Sequence, residues 1–89
     1  MTIMKNLEKI LKALTNKRRL AILKYLKDNH KAPVGEIAGE INLSFKATSK
    51  HLTILSAVDI VEKNQVGIRA FYTLVADQKP ATKYILSLL

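Results

Sequence analysis

The sequence predicts a mainly α-helical domain with one small β-hairpin, in the order α-α-α-α-β-β-α. Apolar residues recur at three- and four-residue steps in five segments, which is the period of a helix buried on one face. The third and fourth segments are separated by a turn of about three residues, as in a helix-turn-helix. An alternating apolar pattern around Gly67 then predicts the hairpin. Because no repeat or linker is visible in residues 1–89, we expect a single domain.

The first helix is predicted over residues 3–14, where Glu8 and several lysines interrupt an apolar seam. The seam consists of Ile3, Leu7, Ile10, Leu11 and Leu14. Such a seam packs either on the core of its own domain or against a second subunit, and both interpretations stay open. A helix lying on a membrane surface is a third interpretation, which Glu8 and the lack of an aromatic anchor disfavour.

The second helix is predicted from Lys17 to about Lys27, after two residues that are both able to cap it, Thr15 and Asn16. Its inward residues are Leu20, Ile22, Leu23 and Leu26. Its first turn carries three cations, Lys17, Arg18 and Arg19. The helix dipole disfavours cations at that end, so we consider all three as candidate phosphate contacts. Pairing with carboxylates or simple solvation are the alternatives.

The third helix, from Val34 to Ile41, follows a polar connection over residues 28–33 that ends at Pro33. Proline suits a helix start because its fixed φ is already helical. Asn42 then lies where the chain must reverse, and asparagine tolerates the left-handed conformation better than other non-glycine residues. Ser44 is the predicted N-cap of the fourth helix. This sequence of parts predicts that the start of the fourth helix is exposed.

On a helical wheel the fourth helix separates into an apolar stripe and a polar face. The stripe consists of Ala47, His51, Ile54, Leu55 and Val58, flanked by Thr48 and Leu52. The polar face consists of Phe45, Lys46, Ser49, Lys50, Thr53 and Ser56. Basic and hydroxyl side chains suit a DNA major groove, since they pair with base edges and phosphates. An ordinary solvated helix face is the alternative interpretation.

Two residues of this helix allow more than one interpretation. Phe45 is an aromatic in the exposed first turn, where it either touches a thymine methyl group or packs against its own domain. His51 falls on the inward stripe, so an imidazole hydrogen-bonded to backbone is the default and contact with a DNA phosphate is the alternative. As a metal ligand it lacks a partner, because the only other histidine, His30, is in a different loop.

The C-terminal third of the chain predicts a hairpin and a last helix. The strands are predicted over residues 60–64 and 68–74, with residues 65–67 as the turn, where Gly67 supplies a positive φ. Asp59 marks the end of the preceding helix. Pro80 begins the last helix, which carries the apolar residues Ala81, Tyr84, Ile85, Leu88 and Leu89.

Composition narrows the function classes. Lysine and arginine outnumber aspartate and glutamate by 15 to 7, and the net charge of +8 favours an anionic partner, with nucleic acid ahead of a membrane. The chain has no cysteine, which removes disulfides, thiol redox sensing and thiolate metal sites. We expect a cytoplasmic protein, because no apolar run approaches a membrane span and the N-terminus lacks the apolar core of a signal peptide. A phosphate-binding loop, a paired acid and a catalytic triad are all lacking, so an enzyme is disfavoured.

Several of these segments carry a closer likeness in register. They are Leu11-x-x-Leu14-Thr15-x-x-x-Arg19-Leu20-x-Ile22-Leu23, Val34-Gly35-Glu36-Ile37-Ala38, Leu43-Ser44-x-x-x-x-Ser49-Lys50-His51-Leu52-x-x-Leu55, Ile60-Val61-Glu62 and Gly67-x-Arg69-x-Phe71-Tyr72-x-Leu74. Over about residues 7–74 the chain resembles the ArsR/SmtB family of winged helix-turn-helix transcriptional repressors.

The resemblance implies a homodimer that binds operator DNA and releases it when a metal ion or another inducer binds. It implies dimerisation through the first and last helices, residues 3–14 and 80–89, with Ile3, Leu7, Ile10, Leu14, Ile85 and Leu88 in the interface. It implies DNA contacts from Phe45, Lys46, Ser49 and Lys50, joined by Lys63 and Arg69 near the wing. Thr53, on the same exposed arc, is added from the helical wheel.

The chain departs from the family pattern at its metal sites. The helix before the recognition helix begins Pro33-Val34-Gly35 where metal sensors place cysteine, and residues 78–84 contain no histidine or acid. We therefore expect neither metal nor cofactor, and the sequence names no inducer. Asn42 and Asp59 stand where glycine is common in the family. A winged helix used only for contact with another protein is the alternative function.

Overall fold

A computed structural model describes residues 2–89, which form five α-helices and three β-strands. The helices are α1 (Thr2–Leu14), α2 (Lys17–Asn29), α3 (Val34–Ile41), α4 (Phe45–Ala57) and α5 (Pro80–Ser87). The strands are β1 (Lys31–Ala32), β2 (Val61–Val66) and β3 (Arg69–Leu74). The predicted order of helices and hairpin strands is confirmed, with β1 as an addition.

The three strands form one antiparallel sheet in the order β1-β3-β2. Val61 pairs with Leu74 and Val66 with Arg69 in the hairpin, and Lys31 pairs with Thr73 across the other edge of β3. The sequence predicts a polar connection over residues 28–33 and does not predict β1. A strand of two residues carries no periodicity of its own, and it exists here because β3 supplies its hydrogen-bond partners.

The core is built around α2. Ile22, Leu23 and Leu26 of this helix are fully buried, and they meet residues from α3, α4 and the start of the hairpin. The residues that they meet from these elements are each at most 1% exposed: Ile37, Leu52, Leu55, Ile60 and Val61. Burying one such side chain contributes about 1.5–3 kcal/mol relative to leaving it in water. The helix-turn-helix and the hairpin are therefore set in place by packing on one central helix.

Local caps end and begin the helices as predicted. The Asn16 side chain accepts hydrogen bonds from the backbone N–H groups of Arg18 and Arg19 at 2.9 and 3.1 Å, so Asn16 is the N-cap of α2. The Ser44 hydroxyl accepts from the N–H of Ala47 at 3.1 Å and caps α4. Asn42 has a φ of 55° at the C-cap of α3. Asp59 also has a positive φ, 58°, which costs on the order of 1 kcal/mol relative to glycine.

The buried stripe of α4 is turned slightly from the predicted one. Its buried residues are Thr48, Leu52 and Leu55, whereas Ile54, which we expected to face inward, is 39% exposed. Thr48 is tolerated in the core because its hydroxyl donates to the carbonyl of Ser44 at 2.8 Å. A helical wheel sorts residues by polarity alone, so it does not show that the Thr48 hydroxyl has a hydrogen-bond partner within the helix.

The predicted seam of α1 is divided between two environments. Ile10 and Leu14 are each 5% exposed and belong to the core of the chain itself. Ile3 is 83% exposed and Leu7 42%, and every residue from Thr2 to Lys9 is exposed. Ile10 and Leu14, which were predicted in a subunit interface, are thus core residues of their own domain, because α1 packs on that domain in its C-terminal half.

Candidate nucleic-acid interface

The exposed start of α4 is produced by a tight turn after α3. The backbone N–H of Leu43 donates to the carbonyl of Ala38 at 3.0 Å, which closes α3 and turns the chain at Asn42. Ser44 then caps α4 through the single backbone N–H of Ala47. The first turn of α4 consequently points its remaining N–H groups and the positive end of its dipole outward. Helix starts of this kind attract phosphate and other anions.

Five side chains predicted to contact DNA lie along this helix, and the structure places them near its exposed side. Phe45, Lys46, Lys50 and Thr53 are exposed, and Ser49 is half-buried. Phe45 is 63% exposed, which argues against packing on its own domain as its role. The hydroxyl of Thr53 donates to the carbonyl of Ser49 at 2.9 Å, so its oxygen remains able to accept a further hydrogen bond.

The cations of this side take part in none of the ion pairs within residues 2–89. The ion pairs of this range are Glu8–Lys12 and Lys24–Asp28, on α1 and α2. Lys46, Lys50 and the wing residue Arg69 thus form no direct ion pair with a carboxylate of the described residues. Charge that is not neutralised internally favours an anionic ligand.

The β2–β3 hairpin forms the wing. Gly67, with a φ of 63°, and Ile68 make its turn, so Ile68 is not in the return strand as predicted. Lys63 and Arg69, the two wing residues predicted to contact DNA, are both exposed. The tip also exposes two apolar side chains that are not among the predicted contacts, Val66 at 67% and Ile68 at 100% exposure.

Two of the cations at the start of α2, Arg18 and Arg19, donate hydrogen bonds to the ends of neighbouring helices, which the sequence does not predict. Arg18 Nη1 donates to the carbonyl of Ile41, the last residue of α3, at 3.1 Å. Arg19 Nε and Nη2 donate to the carbonyls of Ala13 and Lys12, in the last turn of α1, at 2.5 and 3.1 Å. The carbonyls of a last helical turn lack intrahelical donors and carry the negative end of the dipole.

These contacts correct the interpretation of the basic triplet. The guanidinium groups of Arg18 and Arg19, which were predicted as phosphate contacts, instead cap the ends of neighbouring helices, and both residues are half-buried. Lys17 is exposed and keeps that prediction. Lys27, at the other end of α2, follows the capping pattern, since its Nζ donates to the carbonyl of Leu86 in α5 at 2.9 Å.

His51 is half-buried and accepts from a side chain, where a backbone partner was expected. Its Nδ1 lies 3.1 Å from Nη1 of Arg19. Burial lowers the pKa of His51, and the positive charges of Arg19 and Arg18 lower it further. A neutral imidazole is therefore the favoured form, and its remaining proton lies on Nε2 because Nδ1 accepts.

The back of the helix-turn-helix contains a second perturbed group. The Tyr25 hydroxyl of α2 donates to the Glu36 carboxylate of α3. That hydrogen bond, together with burial and the negative charges of Glu36 and Glu40, raises the pKa of Tyr25 to about 12. The contact joins α2 to α3, the helix that precedes α4.

Neither a metal cluster nor a membrane helix is found in the described part of the chain. Within residues 2–89 no three side chains of histidine, aspartate or glutamate converge to hold an ion. No helix in this range is both long enough and apolar enough to cross a bilayer.

The fold and the exposed helix define a winged helix-turn-helix regulator, and the family is established by comparison. Residues 16–63, more than half of the chain, match the family described as bacterial regulatory protein, arsR family. The chain therefore belongs to the ArsR family. Its members and relatives are transcriptional regulators and not enzymes, so the predicted class of protein is confirmed.

Individual relatives agree with this assignment. The chain is 39% identical over 72 residues to the transcriptional activator HlyU of Vibrio cholerae, a match that covers 81% of this chain and 66% of the relative. The structure of reduced HlyU from V. cholerae matches with a TM-score of 0.80 and 34% identity, over 99% of this chain and 88% of that one. A homodimeric winged helix-turn-helix DNA-binding domain from Mycobacterium bovis matches with a TM-score of 0.82 and 25% identity, over 98% and 77% of the two chains.

Proposed function

We propose that this chain is a sequence-specific DNA-binding regulator that acts as a homodimer, with α4 in the major groove and the wing on the adjacent backbone. The observation that carries the proposal is the exposed, uncompensated positive start of α4 behind a capped tight turn. A helix in that setting has the dimensions and donors that the major groove accommodates.

Within this interface we divide the residues by what they read. Lys46, Ser49, Lys50, Thr53 and Phe45 lie on the helix that would face base edges, so they are proposed for base readout. Lys63 and Arg69 belong to the wing and are proposed for backbone or minor-groove contact. Lys17 is proposed for a phosphate.

Dimerisation is proposed from the apolar side chains that α1 and α5 leave exposed. They are Ile3, Met4, Leu7 and Leu11 on α1 and Tyr84 and Leu88 on α5, and we call them the apolar surface. Ile85 is half-buried against the core and contributes at its edge. The first two turns of α1 bury no residue in the chain itself, and so short a helix is marginal alone in water. In this proposal a second subunit supplies the missing contact, and one relative is described as homodimeric.

Control by a thiol or by a metal ion is not part of the proposal. The chain has no cysteine, and the family positions for metal ligands hold other residues. The inducer, where one acts, would be a small molecule or a partner protein, and simple changes of concentration also control occupancy. A DNA-binding role would place the chain in the cytoplasm, as composition predicted.

Repression is proposed as the sign of regulation, because excluding another protein from shared DNA needs no contact beyond DNA itself. The relative HlyU is named an activator, so activation is the alternative. Transcription in vitro from a promoter that the protein binds distinguishes the two signs. Less transcript with protein supports repression, and more transcript contradicts it.

The central experiment is a gel shift with the DNA upstream of the chain's own gene, with unlabelled specific and random competitors. We expect a shift that random DNA competes for poorly, with two half-sites about one helical turn or 34 Å apart. Equal competition by random DNA would contradict base readout. Binding to an acidic protein without any preference among DNA sequences would support the alternative, a winged helix for protein contact.

A further inference from the structure

Arg19 joins three helices through one side chain. Its Nε and Nη2 bind the carbonyls of Ala13 and Lys12 at the end of α1, while Nη1 lies 3.1 Å from His51 of α4. A guanidinium group only donates, so Nδ1 of His51 has to be unprotonated for this hydrogen bond to exist. The three contacts together span α1, α2 and the proposed recognition helix.

We propose that Arg19 is a positioning residue for DNA binding, which holds α4 against the end of α1 through a neutral His51. The proposal rests on the proposed DNA-binding function. His51 lies between Lys50 on the exposed side of α4 and Leu52 in the core. The hydrogen bond from Arg19 to His51 therefore influences the orientation of the side of α4 that is proposed to contact bases. Because α1 also carries part of the apolar surface, the same contact connects the dimer helix with the DNA-reading helix.

Protonation of His51 breaks this arrangement for a geometric reason. A proton on Nδ1 replaces the acceptor with a donor that faces the Nη1 donor of Arg19, and it adds a cation beside an arginine. The charged groups around the ring are Arg19 and Arg18 on α2 and the adjacent Lys50 on α4. On α1 the groups that contact Arg19 are the uncharged carbonyls of Ala13 and Lys12. The Lys12 ammonium itself lies 3.9 Å from the Glu8 carboxylate. The ion pairs within residues 2–89 involve neither Arg18 nor Arg19 nor His51.

The direction of the pH effect follows from the pKa of His51, which lies below its usual 6.5 in the folded chain. Unfolded chains then bind a proton on this side chain more readily than folded ones. The free energy of unfolding should therefore fall as pH decreases through about 6.5 and level off below the folded-state pKa. The contact is complete above that range.

The first test measures DNA affinity between pH 8 and 5.5 at fixed ionic strength, for the wild type and His51→Gln. Glutamine supplies an amide oxygen that accepts from Arg19 and does not titrate. We expect the wild type to lose about fivefold or more in affinity at low pH relative to the variant. Wild-type binding that tightens relative to His51→Gln as pH falls would indicate a phosphate contact by the imidazolium and would overturn the proposal. An equal pH dependence in both proteins would overturn it as well.

The second test uses variants matched in charge. Arg19→Gln and Lys24→Gln each remove one positive charge from α2, and Lys24 pairs with Asp28 on the surface. We expect about a tenfold loss of affinity for Arg19→Gln and less than about twofold for Lys24→Gln. The Lys24 loss is small because salt screens the attraction between an exposed charge and DNA that it does not contact. Equal losses of affinity in the two variants would mean that Arg19 contributes only its charge, which would contradict the positioning role. Arg19→Lys keeps the charge without the fork, so it should not restore affinity.

A third measurement separates this proposal from DNA binding itself. Nitrogen-15 NMR of the His51 ring at pH 8 should show the proton on Nε2 in the wild type, and a changed tautomer ratio in Arg19→Gln. If no DNA is bound under any condition, the proposed function fails while the ring spectrum still reports the contact. A ring protonated on Nδ1 at pH 8 contradicts the contact directly. Should Arg19→Gln not fold, the His51→Gln pH series remains decisive.

Discussion

Two exposed regions of this small domain, α4 with the wing and the first turns of α1, differ in the side chains that they expose. The α4 and wing region exposes lysine, arginine and hydroxyl groups, with Phe45 as its main aromatic. The α1 region also exposes lysines, at Lys5, Lys9 and Lys12, but beside them it leaves Ile3 and Leu7 in water. Positive charge is common to both regions, so charge alone does not distinguish the proposed DNA-binding side. What separates them is the arrangement of the exposed apolar side chains. Ile3, Met4, Leu7 and Leu11 recur at three- and four-residue steps on α1, whereas the wing exposes Val66 and Ile68 only at its tip. A continuous apolar helix face favours a protein partner over a phosphate backbone.

The largest expected effect comes from placing a charge in the apolar surface. Leu7→Glu should give monomers at tens of micromolar and reduce operator affinity by about 100-fold or more, since the two half-sites then bind independently. Light scattering and gel shifts measure the two effects. Lys5→Gln changes the net charge by the same amount on the polar side of α1 and is the control. A variant that remains dimeric would remove Leu7 from the interface.

The next effect concerns base readout by α4. Lys46→Ala and Ser49→Ala should each weaken binding to the operator by about tenfold, within the 1–3 kcal/mol of a good base contact. Binding to random DNA should change much less. Lys12→Ala removes a cation from α1, where Glu8 partly neutralises it, and serves as the control. An unchanged ratio of specific to non-specific affinity would reassign Lys46 to the phosphates.

A smaller and less selective effect is expected at the wing. Arg69→Ala should weaken specific and non-specific binding together, by severalfold, because a wing arginine meets backbone or minor groove. The slope of log affinity against log salt should fall by about 0.9, as for one lost phosphate contact. Arg69→Lys keeps the charge and should keep that slope. A loss confined to the operator would instead make Arg69 a base-reading residue.

No effect is expected from divalent metal, which makes this the smallest of the predicted effects. The experiment tests whether the helices that carry the apolar surface also hold a metal ion that controls DNA binding. Operator affinity measured with chelator and then with stoichiometric zinc or cobalt at fixed salt should agree within about twofold. The expectation follows because the chain has no thiolate and residues 78–84 contain no histidine or acid. A tenfold loss, equal to about 1.4 kcal/mol of coupling, would refute it.

Local features of the sequence were sufficient for the elements that local interactions decide. The caps at Asn16 and Ser44, the left-handed turn at Asn42 and the helical start at Pro80 each depend on residues within one turn. The same holds for the exposed polar face of α4, which follows from a repeating period. These predictions were possible because the physical partners are neighbours in the chain.

Contacts between distant residues decided the rest, and no local pattern encodes them. β1 exists through pairing with a strand about 40 residues away, Lys31 with Thr73. Ile10 is buried and Leu7 is exposed because only the C-terminal half of α1 packs on the domain. Arg18, Arg19 and Lys27 donate to carbonyls at the ends of α3, α1 and α5, so part of the charge counted toward DNA is used inside the fold. A charged side chain is free for a ligand only where the tertiary structure offers it no carbonyl, and that condition is set by packing.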